Sequence, residues 1–272
     1  MNNHFQLSTA FFVLLKREIT RFLSLYKQTI IPGVISSALY IIVFGQALGE
    51  RIGNPVEGNQ VGYLEFIIPG LAMMSVINMS YQNSSSSIMQ AKFLKFIEDI
   101  LIAPLSGFEI SMAFTIGGMI RGVINGILIL LFSGLLINYY LDAPNTTFDI
   151  HNYPLTLAYL VIVSWAFSAL GVIIGVYARS WDQIGSFTTF VFMPLSMLGG
   201  VFWSTDMLPG IWPKVSLANP VYWMVNGMRY ATIGVDEAMI SQEFSLLFSL
   251  AFAIFFSFIA SYMFSKGYKI KS

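Results

Sequence analysis

The residues able to do chemistry fall into three small groups, in a chain that is 56% hydrophobic and only 10% charged. Glu98 and Asp99 form an acidic pair shortly after Lys92 and Lys95, with Phe96, Leu101 and Pro104 set among and behind them. Arg121 stands alone in a long apolar stretch, with Asn125 one turn on and Gly118, Gly122 and Gly126 around it. Asn219-Pro220, Tyr222, Trp223 and Arg229 are packed into one short run, preceded by Pro209 and Trp212. None of these groups is a catalytic centre. The acidic pair and its lysines suit charge-assisted recognition of another surface. A lone intramembrane arginine suits a buried pairing or contact with cargo. The aromatic run suits a membrane boundary. The chain has no cysteine, which excludes disulfides and thiolate metal sites. Its two histidines, His4 and His151, are too far apart in sequence to suggest a metal cluster. No Gly-x-x-x-x-Gly-Lys-(Ser/Thr) run is present, so the chain is not expected to bind ATP itself. No cofactor is expected on it, and no nucleic-acid partner.

The elements that must position these residues are membrane helices. An ordinary soluble domain carries about 25% charged residues, so the shortage of charge calls for a bilayer as solvent. A spanning helix needs about 20 mostly apolar residues. Six stretches qualify, at about 29–48, 64–83, 110–138, 153–178, 184–203 and 244–265. Together they leave no room for a second domain, so residues 1–272 read as one all-α membrane domain. With the N-terminus inside, the inner side holds Lys16, Arg17, Arg21, Lys27, Lys92, Lys95, Arg179, Lys266, Lys269 and Lys271. The outer side holds only Arg51, Lys214 and Arg229. That bias places both termini in the cytoplasm. Basic residues interrupt the N-terminus before any apolar core of a signal peptide, so no cleaved leader is expected.

Residues 8–27 precede the first span. Phe11, Leu14, Leu15, Ile19, Phe22 and Leu25 recur near helical spacing, with Lys16, Arg17, Arg21 and Lys27 largely off that stripe. Such a helix lies in the interface, its cations meeting anionic lipid heads. It is a topogenic anchor, or a lever that also touches a cytoplasmic partner. Between the second and third spans, residues 90–103 read as one short amphipathic helix. Phe93, Phe96, Ile97, Ile100 and Leu101 form its apolar face; Lys92, Lys95, Glu98 and Asp99 form the other. Pro104 stops it. Its apolar side packs on the membrane surface or into a groove of another protein.

The segment "AKFLKFIEDILIAPLSG" resembles the coupling-helix segment of type-2 ABC exporter permeases, a short helix with an acidic pair followed by Leu-(Leu/Ile)-x-Ala-Pro. The stretch "LGGVFWSTDMLPGIWPKVSLANPVYWMVNGMRY" is similar to the part of that family between its fifth and sixth spans. "TIIPGVISSALYIIVFGQALGERIG" and "YLEFIIPGLAMMSVI" match as well, so the resemblance covers nearly the whole chain. It implies two copies of this chain paired with two copies of a separate ABC ATPase subunit, which would carry ATP and Mg. Residues 90–104 would sit in a cleft of that ATPase. The setting implied is the bacterial inner membrane, and the activity is outward export of a cargo no residue here identifies. A channel or secondary transporter is the rival, although the spans lack paired carboxylates and interrupted half-helices. A membrane scaffold of the same fold is a third reading.

The opening of the Asn219 run explains its composition. Asn219 is a good cap, Pro220 a good first residue and Gly234 a good stop. Residues 220–233 are therefore predicted to be one helix about 21 Å long, short of the roughly 30 Å hydrocarbon core. Crossing would also put the C-terminal lysines outside. The helix is re-entrant or interfacial, and residues 207–234 form a candidate outer gate or a plain aromatic anchor, with Trp203, Trp212, Tyr222, Trp223 and Tyr230 at headgroup level. Arg121 is expected within the membrane, paired structurally or touching substrate, with Glu65 a distant partner. The overlapping Gly118, Gly122 and Gly126 predict close helix packing, as do Gly171 and Gly175. Pro194, Gly199 and Gly200 favour a bend or close contact late in the fifth span. Met73, Met74, Met193 and Met197 form an adaptable surface for lipid-like cargo, or ordinary packing.

Overall fold

The computed structural model describes residues 8–52, 55–56, 61–139, 148–235 and 241–267. Lys269 and Lys271 lie outside these residues, and so does His4; the side chain of Arg51 is likewise outside what is described. All regular elements among the described residues are helical. The helices are α1 (Thr9–Ser24), α2 (Tyr26–Thr29), α3 (Ile31–Ile52), α4 (Tyr63–Phe93), α5 (Ile97–Ile102) and α6 (Gly107–Tyr139). They continue as α7 (Tyr153–Tyr177), α8 (Trp181–Phe187), α9 (Met193–Leu198), α10 (Trp212–Leu217), α11 (Pro220–Ile233) and α12 (Gln242–Lys266).

Among the described residues, five segments are long and apolar enough to cross a membrane: Tyr26–Phe44, Tyr63–Phe93, Gly107–Tyr139, Tyr153–Tyr177 and Gln242–Lys266. The predicted span at 184–203 is not one of them. It is built as α8, a π turn (Thr188–Phe192) and α9, and helix ends at Leu198. The cause is Pro194, which has no N–H to return to the preceding turn. The turn before it widens, so that Met193 N–H donates to Thr188 O. Gly199 and Gly200 then turn the chain, Gly200 with φ 76°.

The interior is organised around α4, whose neighbours are α3, α6, α7 and α11. Its Phe66, Ile67, Ile68, Ala72, Met73, Val76, Ile77 and Tyr81 are all fully buried. The glycines of α6 do what their spacing predicts. A Cβ on Gly118 would lie 2.2 Å from Ser84 Oγ and 2.4 Å from Ser168 Oγ. One on Gly122 would lie 2.6 Å from Ser164 Oγ, and one on Gly126 2.7 Å from Val76 Cγ2. Small residues here bring α4, α6 and α7 into near-backbone contact. Hydroxyls fill the seam: Ser84 Oγ lies 2.6 Å from Ser168 Oγ and donates to Phe114 O, while Ser168 Oγ donates to Thr115 O. Gly171 and Gly175 press against the backbone of Tyr81 and Ser85 in the same way.

Helix α1 is capped by Ser8, whose side chain accepts from Phe11 N–H, while Ser8 N–H itself donates to Glu109 Oε1 of α6. Its buried side chains are Phe11, Leu14, Glu18 and Phe22. The predicted stripe is therefore only partly right. Leu25 is exposed, Leu15 and Ile19 are half-buried, and an acidic residue takes the central place.

Candidate functional site

Three clusters hold the residues that sequence reasoning singled out. The first is an elbow between α4 and α6. The expected single helix over 90–103 is two pieces. Helix α4 runs on to Phe93, and Leu94–Phe96 break it before the six-residue α5 begins. Lys95 sits in the left-handed region with φ 61°, which ends one helix and re-aims the next. Ala103 takes ψ 150°, as a residue before proline must, and Pro104 closes the elbow. Ile97 and Ile100 are buried beside Phe11, Leu14, Ile88, Ile110 and Ala113. Phe96 and Leu101 are half-buried, and Phe93 is 73% exposed, so the predicted apolar face is split.

The charges of the elbow divide too. Lys92 turns inward: its Nζ donates to Val176 O at 2.8 Å and Ala178 O at 2.6 Å, capping the end of α7. It does not share an outward face with the acidic pair, as the sequence suggested. Lys95, Glu98 and Asp99 are exposed. Neither Glu98 nor Asp99 makes an ion pair within the described residues. Beside α5, Arg17 of α1 lies 4.1 Å over the Phe96 ring. An open trough of about 700 Å³ runs between α1 and α5, floored by Val13, Leu14, Phe96 and Ile100 and edged by Arg17 and Asp99.

Under this elbow lies a group that sequence reasoning missed. Glu18 is fully buried and accepts from Ser87 Oγ at 2.6 Å and from Arg21 Nη2 at 3.4 Å. Arg21 Nη2 also donates to Asn83 O at 3.0 Å and to Asn83 Oδ1 at 3.1 Å. Burial presses the Arg21 guanidinium below its ordinary pKa, and the Glu18 carboxylate pushes back up. This pair fastens α1 to α4. The signal was present in the spacing, since Leu14, Glu18 and Phe22 are each four residues apart and share one face.

The second cluster is Arg121, 6% exposed. Its Nη2 donates to Thr29 O at 2.9 Å and approaches Met79 Sδ at 3.2 Å, and its Nε donates to Thr29 O at 3.3 Å. Thr29 ends α2, so the guanidinium fills the break between α2 and α3. Asn125 shares the same stretch of α6, donating Nδ2 to Arg121 O. Glu65 is not the partner: Met79, the residue of α4 that Arg121 meets, lies about 21 Å along the helix from it.

The third cluster is at the Tyr63 end of α4. Helix α11 starts and stops where the sequence predicts. Asn219 Oδ1 accepts from Val221 N–H, Pro220 opens the helix, and Gly234 closes it at φ 70°. Asn219 Nδ2 also donates to Leu195 O at 2.6 Å, which ties α9 to α11. Tyr222 is buried against the turn at Gly200. Trp223 donates to Leu217 O and packs against Phe244 of α12, the ring centroids 4.9 Å apart and the planes tilted by 50°. Arg229, counted from the sequence among the outer-side cations, is not exposed. It is fully buried, lies 3.7 Å over the Phe66 ring and donates to Gly200 O. Pro209 and Trp212 are exposed and stand apart from this core.

No group of three or more His, Asp and Glu side chains converges to hold a metal among the described residues. What the arrangement offers is mechanical: an exposed acidic elbow, a fastened α1, and a buried plug of helices at the other end of α4. The profile of the ABC-2 type transporter family matches residues 9–233, from the start of α1 to the end of α11. The chain belongs to the ABC-2 type transporter family. The first two clusters lie inside that match, as does the third apart from Gly234 and Phe244, and α12 lies beyond it. Among the family's members, the inner membrane transport permease YadH of Escherichia coli strain K12 is 38% identical over 231 residues, covering 85% of this chain and 86% of YadH. YadH of Shigella flexneri matches equally. The inner membrane transport permease YhhJ of E. coli K12 is 25% identical over 164 residues, covering 59% of this chain and 40% of YhhJ.

Proposed function

We propose that this chain is the membrane-spanning subunit of an ATP-driven exporter in a bacterial inner membrane. Two copies form the path, and each receives a separate ABC ATPase subunit on its α4–α5 elbow. ATP and Mg bind that partner and not this chain. Both termini face the cytoplasm, and α8–α9 with the intervening π turn makes the fifth of six crossings. Cargo leaves outward, past a gate built from the turn at Gly199–Gly200 and helices α10 and α11. Membership of the ABC-2 family and the likeness to inner membrane transport permeases support this reading.

The observation that carries it is the wiring of the elbow. Glu98 and Asp99 are exposed and make no ion pair among the described residues, while the helix bearing them is seated on α1, α4 and α6 through Ile97 and Ile100. A load on α5 therefore reaches three helices at once. Lys92 extends the path to the end of α7, and Arg17 over Phe96 extends it to α1. At the far end, α11 is too short to cross, and its burial against α4, α7 and α12 meets the condition for non-spanning backbone at membrane depth.

The test is to purify the chain gently from its native membrane and identify what accompanies it. An ABC ATPase at about equal stoichiometry is expected, and its ATP hydrolysis should respond to this subunit. Changing Glu98 and Asp99 together to lysine should abolish that response, with stability altered by no more than about 0.5 kcal/mol because both are surface positions. A clean homodimer without ATPase would favour a channel or scaffold. A cysteine at Pro209 should label from outside, and labelling only from the cytoplasm overturns the topology.

A further inference from the structure

Helix α1 has a second face that the fold leaves open. Val13, Lys16, Arg17, Thr20, Arg21 and Ser24 follow the i, i+3, i+4 spacing of one helical stripe. Gln90 of α4 and Phe96 of the elbow stand across from it, and the trough between them has a volume of about 570 Å³. Three of its lining residues are cations and none is acidic. The nearby carboxylates are placed elsewhere. Glu18 is fully buried beneath α1, accepting from Ser87 and Arg21. Asp99 lines the adjoining trough, which shares Arg17 and Phe96 with this one.

The donors of this trough are accessible and unspent. Among the described residues, the side chains of Lys16, Thr20, Ser24 and Gln90 make no hydrogen bond or ion pair. Arg17 engages the Phe96 ring and no acid. Arg21 uses Nη2 for Glu18 and Asn83, which leaves Nη1 without a bond in a side chain 21% exposed. Burial first, and then the charge of Arg17 one turn away, press the Arg21 guanidinium below its ordinary pKa, against the pull of Glu18. An anion between the two arginines relieves that repulsion. Two guanidinium forks, an ammonium, two hydroxyls and an amide form a donor set that suits phosphate oxygens. An amine on the same ligand would find no carboxylate in the trough, so the set selects a net anion. The position of the trough names what carries the phosphate. Ser24 ends both the trough and α1, and the first segment apolar enough to cross a membrane starts at Tyr26. Leu23, Leu25 and Tyr26 are exposed at that end. A phosphate held here stands at head-group level with apolar surface beside it, which fits a lipid better than a soluble ion.

We propose that this trough binds one anionic phospholipid per chain through its phosphate, bridging α1 to the elbow. It is a discrete site, distinct from the diffuse attraction of a basic helix to an anionic surface. The proposal rests on the membrane placement of the chain and not on powered export.

The full chain, purified in dodecyl maltoside, is titrated with phosphatidylglycerol or phosphatidylcholine, and bound lipid is counted by native mass spectrometry. One phosphatidylglycerol per chain should be retained at concentrations where phosphatidylcholine is not. Lys16→Gln combined with Arg17→Gln should weaken phosphatidylglycerol about tenfold. Lys214→Gln combined with Lys266→Gln removes the same charge from exposed positions elsewhere and should leave binding unchanged. If the first pair fails to assemble, Gln90→Glu places a carboxylate in the same trough and should weaken binding likewise. Equal retention of the two lipids, graded binding without a stoichiometric step, or equal weakening by the remote pair overturns the proposal. Displacement of the lipid by inorganic phosphate at constant ionic strength would assign the trough to a soluble anion, and displacement by a co-purifying ATPase would mark a protein-docking face; either overturns it. Lipid binding is read on the chain alone, so its failure is separable from failure of the powered-export reading, which co-purification decides.

Discussion

At the Phe93 end of α4, Lys95, Glu98 and Asp99 are exposed on a short helix seated over Ile97 and Ile100. At the Tyr63 end, the cation of the adjoining helix, Arg229, is fully buried over Phe66 and holds the Gly200 carbonyl. The same central helix thus meets an open, charged device at one end and a closed, packed one at the other. An exposed charge costs little to keep and is free to meet a partner. A buried charge is tolerated only where the fold supplies its contacts, so it holds its surroundings in place. The elbow leaves its charges open to solvent, whereas the Tyr63 end is held in shape by the contacts its buried cation makes.

The largest effect that would break this contrast is expected at Arg229. Arg229→Met keeps much of the apolar stem but leaves Gly200 O without its donor and removes the cation from the Phe66 ring. The cost should be about 3 kcal/mol, within the range for a charged hydrogen bond plus a desolvated cation–π contact. Thermal unfolding of the purified protein measures it. A loss below about 0.5 kcal/mol would show that the Tyr63 end does not depend on its buried cation.

Glu18 comes next, because it breaks the simple version of the contrast: the elbow end also has a buried charge, one layer beneath the exposed ones. Glu18→Leu leaves Arg21 facing Asn83 and Ser87 with no carboxylate, and should cost about 2 kcal/mol. The effect should appear first as proteolytic release of α1, since Glu18 fastens it to α4. Limited proteolysis within residues 8–24 reads that release. Unchanged resistance would mean that Phe11, Leu14 and Phe22 alone hold α1.

These residues also mark how far the sequence could be read. Helix α11 was legible to the residue because its ends are written in local chemistry: an Asn cap, a proline and a glycine. The close seam of α6 was legible from Gly118, Gly122 and Gly126, and Arg121 was legible as an outlier. The partners were not. Thr29 O, Met79 and Gly200 O are set by tertiary packing, and a backbone carbonyl leaves no trace in composition. The elbow was read as one helix because its apolar spacing is continuous, whereas a single left-handed residue at Lys95 divides it. Residues 184–203 were read as one continuous span because hydropathy does not register the π turn that Pro194 imposes.

The smallest effects sharpen the contrast at its hinges. Two helix ends are set by left-handed residues: Lys95 at φ 61° in the elbow, and Gly234 at φ 70° closing α11. For a residue with a Cβ this conformation costs about 1–2 kcal/mol, and glycine escapes it at the expense of a looser unfolded chain. Lys95→Gly should therefore stabilise the protein slightly, by about 0.5 kcal/mol, whereas Gly234→Ala should destabilise it by about 1 kcal/mol. At Gly234 a Cβ would meet His151 only at 3.4 Å, so backbone strain and not collision sets that cost. If Lys95→Gly instead destabilises, the lysine side chain holds the elbow shut, and the open end of the molecule is less open than its exposed charges imply.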